Sequence, residues 1–243
     1  MLTVRFEYLD LAPGAWVLDL GCGEGRHVHG LHMLGTVNVV GADLDQPSLD
    51  KAEQGLQTLP DYPRQGPLVT RLDQVDALQL PYDRASFDAV ICSEVLEHIG
   101  PYTAVLAEIR RVLKPEGRLC VSVPRGWPER LCWRLAPPPD GYAYEPGGHL
   151  RIFDPVDLRI SIEHCGFAYR RRHHAHALHS PYWWLQCLFW KDRERHPLVR
   201  AYHRFLVWDL LQRPWLTRLL EAVLNPVLGK SLVLYYGPRS ARR

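Results

Sequence analysis

VLDLGCGEGRH, from Val17 to His27, is an apolar run broken by Gly21, Gly23 and Gly25. A strand that enters a glycine-rich turn and continues as a helix lets a ligand lie against bare backbone. A dinucleotide site built this way needs G-x-G-x-x-G, whose third glycine permits close helix packing beside a pyrophosphate. Here Arg26 stands at that third position and the pattern is G-x-G-x-G. Glu24, expected at the mouth of a helix over Glu24 to Leu34, sets a negative charge where a diphosphate would lie. The turn therefore suits a ligand without phosphate.

Outward from this turn, short β-rich runs alternate with helical patterns, which predicts an α/β chain with a parallel sheet and helices on both faces. WVLDLG is the first strand and VNVVGAD the second, after which Pro47 opens a helix at its first position. LVTRLD, FDAVICS and GRLCVSVP read as strands three to five, with YTAVLAEIRRVL as an amphipathic helix ended by a KPEG turn. Asp154 and Pro155 cap a helix that runs to Cys165 and stops at Gly166. FAYRRRHHAHA and SLVLYYGP are strands six and seven, and PPPDGYAYEPGG, Pro137 to Gly148, is a loop insertion. The long Trp-, Leu- and Arg-rich stretch between the last two strands exceeds what a structureless loop reaches, so it is expected to be helical.

Asp43 ends the second strand, where a carboxylate can accept hydrogen bonds from both hydroxyls of a ribose. A structural alternative for Asp43 is to cap the Pro47 helix. Asp76, after the third strand, is placed to meet an exocyclic adenine amine, although Asp73 is near. The ligand these residues suggest is an adenosine without phosphates, as in S-adenosylmethionine.

VLDLGCGEGRH, VVGADLDQPSLDKA, DALQLPYDRASFDAVICSEVLEHI and EIRRVLKPEGRLCVSVP, in this order and spacing, resemble the successive motifs of the class I S-adenosylmethionine-dependent methyltransferases, in the methyltransferase-11 group. The resemblance is close over residues 12–123 and looser over GGHLRIFDPVDLRISIEHCGF. It implies a Rossmann-like seven-stranded methyltransferase sheet whose last strand is antiparallel, here with a helical insertion between the last two strands. It also implies S-adenosyl-L-methionine as methyl donor and S-adenosyl-L-homocysteine as product. Carried over by position, Asp19, Gly21, Cys22 and Gly23 resemble the loop under the methionine and adenosine parts of the cofactor. Asp43 and Leu44 match the ribose and adenine edge, Asp76 and Ala77 the adenine end, and Ser93 and Glu94 the wall beside the sulfonium.

In such a sheet the acceptor lies over the carboxyl ends of the strands, against the segments that follow strands four and five. Two histidines stand there. His149, in GGHLRIF, sits where ubiquinone-type O-methyltransferases carry a Gly-x-His motif, and imidazole is the side chain whose charge changes near neutral pH. It is the first candidate base, against a structural reading in which it fixes the preceding loop. His98, in EVLEHI, is the second candidate, against a packing role at the helix start. HHAHALH places His174 and His176 on one face of an extended strand with no acidic or cysteine partner, so no metal is assigned, and His179 is expected to reach the acceptor pocket.

Composition bounds the rest. The chain has 243 residues, 47% hydrophobic and 23% charged, as a folded globular protein does. Six scattered cysteines form no C-x-x-C pair, and neither a signal peptide nor a spanning segment is visible, so a cytoplasmic protein is expected. Charge is unevenly spread: the net is −5 up to Ala177 and +7 from Leu178 onward. Residues 1–177 and 230–243 are expected to form the cofactor-binding domain, and residues 178–229 a Trp/Arg-rich insertion. Only about fifteen residues precede the first strand, so this insertion is the candidate to close the acceptor site. Three roles suit it: a lid over an apolar pocket, an interfacial element at the inner face of an anionic membrane, or a homodimer interface.

Lid and membrane roles both point to a hydrophobic or amphipathic small-molecule acceptor. The resembled family methylates oxygen, nitrogen or carbon, and the absence after strand four of NPPY, which marks amide or base N-methylation in related enzymes, tilts the expectation toward oxygen. Two rivals are O-methylation of a sugar or glycan precursor, with the aromatic residues as stacking platforms, and a non-catalytic S-adenosylmethionine-binding regulator. Basic residues interleaved with aliphatic ones, without an RNA-binding module, argue against nucleic acid.

Overall fold

The computed structural model describes residues 2–60, 63, 65–145 and 147–239. Met1 and residues 240–243 of the expected domain, and Pro146 of the expected loop insertion, lie outside the described residues. Seven strands form one sheet: β1 (Trp16–Leu20), β2 (Asn38–Asp43), β3 (Thr70–Gln74), β4 (Phe87–Ser93), β5 (Leu113–Pro124), β6 (Phe167–Ala175) and β7 (Ser231–Pro238). Their spatial order is β3-β2-β1-β4-β5-β7-β6. The first five pair in parallel, and β7 inserts antiparallel between β5 and β6. The sheet thus has the seven-stranded Rossmann-like order, with its direction reversed only at β7.

Eight α-helices accompany it among the described residues: α1 (Arg26–Leu34), α2 (Gln46–Gln57), α3 (Tyr102–Val112), α4 (Gly126–Leu135), α5 (Pro155–His164), α6 (His179–Leu188), α7 (Pro197–Gln212) and α8 (Trp215–Leu228). Successive strand residues point to opposite faces, and the two faces feed two separate cores. Val17, Val39, Ile91, Cys120 and Val233 pack with Val28 and Leu31 of α1 and Leu49 of α2. Leu18, Leu20, Val40, Val90, Leu119, Val121 and Leu234 pack with Leu106 and Ile109 of α3 and Leu158 and Ile162 of α5. Burial on both faces is why these strands read as continuous apolar runs.

Local chemistry departs from the sequence reading at several places. α1 starts at Arg26 rather than Glu24, because Gly25 takes a left-handed φ of 84° and serves as N-cap. Asp45 caps α2 through its bond from Ser48 N at 3.0 Å, so Pro47 is the second residue of that helix rather than the first. KPEG is not a free turn: β5 begins at Leu113, and the register with β4 shifts between Phe87 and Ala89 to absorb the extra residues. His176 is not on β6, which ends at Ala175; it takes a left-handed φ of 66° and is buried, so it shares no strand face with His174. α4 lies in a segment for which no helix was expected. The stretch between β6 and β7 is helical, as α6, α7 and α8.

Candidate active site

In the strand order, the chain leaves β1 toward β2 and β3, then returns to place β4 on the other side of β1. That reversal opens a crevice at the carboxyl ends of β1 and β4, where ligands bind in open α/β sheets. The glycine turn lies on it. Gly21 has a φ of 70°, and a Cβ there would come within 2.2 Å of Val95 Cγ2, so only glycine fits. Gly23 has a φ of 51°, and a Cβ there would meet no atom within 4 Å, so its backbone faces open space. Asp43 ties the end of β2 to this turn, accepting from Gly23 N at 2.7 Å and from Asp45 N at 3.0 Å. Helix capping belongs to Asp45, while the structural bonds of Asp43 are those to the glycine turn and to Asp45 N.

Asp19, the penultimate residue of β1, is 1% exposed and neither oxygen accepts a hydrogen bond; His27 Nδ1 stands 3.6 Å from Oδ1. A buried carboxylate with open lone pairs beside an open glycine backbone is matched by a cationic ligand group such as an α-ammonium. Cys22 is buried against the same turn. Leu44 is 67% exposed immediately after Asp43, an apolar surface able to face a base. Asp76 is exposed, with Oδ1 accepting from Leu78 N at 2.8 Å, and Ala77 follows it half-buried. Its neighbour Asp73 is engaged elsewhere: its Oδ2 accepts from Arg71 Nε and from Tyr82 OH. Glu24 pairs with Lys51 at 2.6 Å, which partly offsets the charge that would repel a diphosphate. The open turn and the orphaned Asp19 fit the methionine and adenosine parts of S-adenosylmethionine.

On the other bank of the crevice, Glu94 takes a left-handed φ of 57°. Ser122 Oγ donates to Glu94 Oε1 at 2.8 Å, which leaves Ser93 Oγ to donate to Ser122 Oγ at 2.8 Å. A cavity of about 570 Å³ opens beside Glu94 and is lined by His149, Tyr142, Arg26 and Lys230 from the sheet domain. His176 and His179 line it too, and its remaining wall is Tyr182 and Trp183 of α6 with His203, Leu206, Val207 and Leu210 of α7. The structure brings His149, Glu94 and His179 to one space; Asp43, Asp76 and their neighbours stand outside it along the turn.

His149 Nδ1 bonds Glu129 Oε1 at 2.6 Å, and Glu129, on α4, is 2% exposed. Trp133 Nε1 donates to the same oxygen at 3.0 Å. Burial pushes the Glu129 carboxyl up, but the bond and charge of His149, with Lys230 and Trp133, outweigh it and hold the group below its ordinary value. An ionised carboxylate only accepts, so Nδ1 is the nitrogen that donates in this bond, and Nε2 is the nitrogen open to a proton in the neutral ring. The ring also packs edge-on against Tyr142, in the loop insertion, at 5.8 Å between centroids. His98 packs edge-on against His149 at 4.9 Å, and its Nδ1 lies 3.3 Å from Gly148 O. Burial and the adjacent His149 push the His98 pKa down, which favours its neutral form.

Glu129, Tyr142, Arg26 and Lys230 were not legible as site residues. The i, i+4 pairing of Glu129 with Trp133 was the available signal, hidden because GWPERLCWRL looks like a charged, proline-broken connection.

Glu97 is buried with both carboxylate oxygens unbonded, His98 Nε2 being 3.9 Å from Oε1. Burial, reinforced by Glu94, pushes its pKa well above the ordinary carboxyl value. As pH rises past that ordinary value the unfolded chain releases this proton while the native state keeps it, so native stability falls with rising pH. Glu97→Gln removes the titration. It is expected to raise Tm at about pH 7, with a gain that shrinks toward about pH 4; a gain of equal size at both would contradict a neutral, buried Glu97.

Residues 18–121 match the family model described as a methyltransferase domain. Over 127 residues the chain is 39% identical to a ubiquinone biosynthesis O-methyltransferase of Xanthomonas oryzae pv. oryzae, covering 49% of this chain and 48% of that protein. It is also 39% identical over 104 residues to a demethylmenaquinone methyltransferase of Deinococcus radiodurans, covering 42% of this chain and 40% of the relative. The chain thus spans about half or less of the length of these curated relatives. Among solved structures, an S-adenosylmethionine-dependent methyltransferase from Mesorhizobium loti superposes with a TM-score of 0.57 at 16% identity, over 96% of this chain and 94% of that one. That likeness extends the shared fold beyond the matched domain to nearly the whole chain.

Proposed function

We propose that this chain, whose residues 18–121 are a class I S-adenosylmethionine-dependent methyltransferase domain, methylates a hydroxyl of a hydrophobic small molecule, with His149 as general base. S-adenosylmethionine is the methyl donor of such a domain, and when bound it supplies an electrophilic methyl group on a sulfonium. Asp19, Gly21, Cys22 and Gly23 bind its methionine side, Asp43 and Leu44 the ribose and adenine edge, Asp76 and Ala77 the adenine end, and Ser93 and Glu94 border the sulfonium. The observation that carries the acceptor assignment is His149: oriented through Nδ1 by the buried Glu129, it lines a cavity roofed by aromatic and aliphatic side chains.

When bound, the cofactor would supply its methyl group to the acceptor oxygen and leave as S-adenosylhomocysteine, and His149 Nε2 is the atom that would take the hydroxyl proton. Glu129 keeps the imidazole in the tautomer that can take it and stabilises the imidazolium that results. Tyr182, Trp183, Leu206, Val207 and Leu210 favour an apolar acceptor and exclude water from the reacting atoms. α6 and α7 act as the lid, and the insertion over residues 178–229 is the acceptor-binding unit. Oxygen methylation by the Xanthomonas relative supports the same choice of nucleophile.

The test supplies the protein with methyl-labelled S-adenosylmethionine and an extract of its host cells, then partitions the label between organic and aqueous phases. Label in the organic phase is expected. Label confined to the aqueous phase would replace this reading with a sugar or glycan precursor as acceptor, and cofactor binding without any transfer would replace it with a non-catalytic role.

A further inference from the structure

α8 is an amphipathic helix mounted with its polar side inward. Its exposed positions include Trp215, Leu216, Leu219, Leu220, Val223 and Val227, between 41% and 76% exposed, and none of its exposed residues is charged or polar. Its polar residues turn toward the protein. Asn225 Oδ1 accepts from Ala177 N at 2.9 Å, Thr217 is buried, and Arg218 and Glu221 are only partly exposed. A helix packed on a globular domain ordinarily shows the reverse arrangement. The apolar surface continues around the corner into α7, where Leu211 is 71% and Trp208 48% exposed. No helix of the described residues is long and apolar enough to cross a membrane.

Charge selects what covers this face. Arg200 and Arg204 of α7, and Arg213 between the two helices, are exposed, while the acidic residues of α7 and α8 are Asp209, which is buried, and Glu221, which is half-buried. Neither helix exposes an acidic side chain that could pair with those arginines in a second copy. An anionic bilayer surface complements both features, taking Trp and Leu side chains into its headgroup boundary and arginines against its phosphates. We propose that α8, with the adjoining end of α7, docks this protein on the surface of an anionic lipid bilayer. Val207 and Leu210 are each about two-fifths exposed and also line the cavity that holds His149, so the docked face leads into the acceptor site. An apolar molecule dissolved in the bilayer thereby reaches the cavity without crossing water. Docking itself stands apart from the acceptor assignment, because it rests on α8 and not on His149.

The experiment is co-sedimentation of the full chain with vesicles of phosphatidylglycerol and phosphatidylcholine, read beside phosphatidylcholine vesicles alone and with the mass of the free protein in solution. Binding to the anionic vesicles is expected, weakened by salt and accompanied by a blue shift of tryptophan emission. The triple variant Leu219→Gln/Leu220→Gln/Val223→Gln changes only exposed positions, so its melting temperature is expected to stay near the parent's while its vesicle partitioning drops about tenfold or more. Three results would each overturn the proposal: no sedimentation with anionic vesicles, equal binding to neutral ones, or a stable dimer in solution that the triple variant dissociates. The last would identify a second copy of the chain as the occupant. If the variant melts far below the parent, Trp215→Gln alone, at 76% exposure the outermost of these side chains, carries the same comparison.

Discussion

Asp43→Ala is expected to weaken S-adenosylmethionine binding by about 100-fold or more. Two ribose hydroxyls donating to one carboxylate make charge-assisted bonds, each worth about 1.5–3 kcal/mol, and about 1.4 kcal/mol is a factor of ten. The same carboxylate accepts from Gly23 N at 2.7 Å, so its loss also frees the backbone against which the ligand lies. Asp43→Asn keeps an acceptor for Gly23 N but not the charge, and is expected to fall between the two. Calorimetric titration of the parent and both variants checks this. Unchanged affinity in Asp43→Ala, with an unchanged melting temperature, would remove the ribose assignment.

The central strands themselves could be read from the sequence because they are buried on both faces. Val17, Val39, Val40, Val90 and Ile91 are all inaccessible to solvent, and nothing but a doubly covered sheet makes such runs useful. β3 was harder to define for the converse reason: it is an edge strand, and TRLDQ contains no buried residue. The glycine turn was legible because each departure from an ordinary side chain has a cause that shows in the residue type, as at Gly21 against Val95.

The acceptor side was legible only in part. His149 stands out in a loop as a titratable side chain after two glycines, whereas its partner Glu129 looks like any surface charge of a connection; only tertiary packing reveals that it is buried. His176 was misplaced because a left-handed residue ends β6 two positions earlier than the alternating pattern suggests, and histidine gives no warning of that conformation. The apolar character of α8 was evident in the sequence, but periodicity states only that a helix has an apolar face. Which way that face points is a matter of packing, and here it points outward.

The second large effect falls on His149. Removing a positioned general base costs about 10²–10⁴-fold in rate, and His149 is the imidazole in the cavity whose Nδ1 is pinned by a buried, ionised carboxylate. His149→Ala is therefore expected to lower the rate of methyl transfer by that range while cofactor affinity stays at the parent's value, since the residue stands apart from the glycine turn and Asp43. Glu129→Gln keeps the size of the side chain but loses the charge that stabilises the imidazolium, so it is expected to lower the rate by a smaller factor and leave cofactor affinity alone. The decisive measurement is single-turnover transfer of labelled methyl from saturating S-adenosylmethionine by the parent and by His149→Ala, across the neutral pH range, with cofactor affinity measured on the same samples. A fall of about a hundredfold or more at constant affinity is the predicted result; full parental transfer by His149→Ala at every pH would contradict the assignment of the base and of the cavity as the acceptor site.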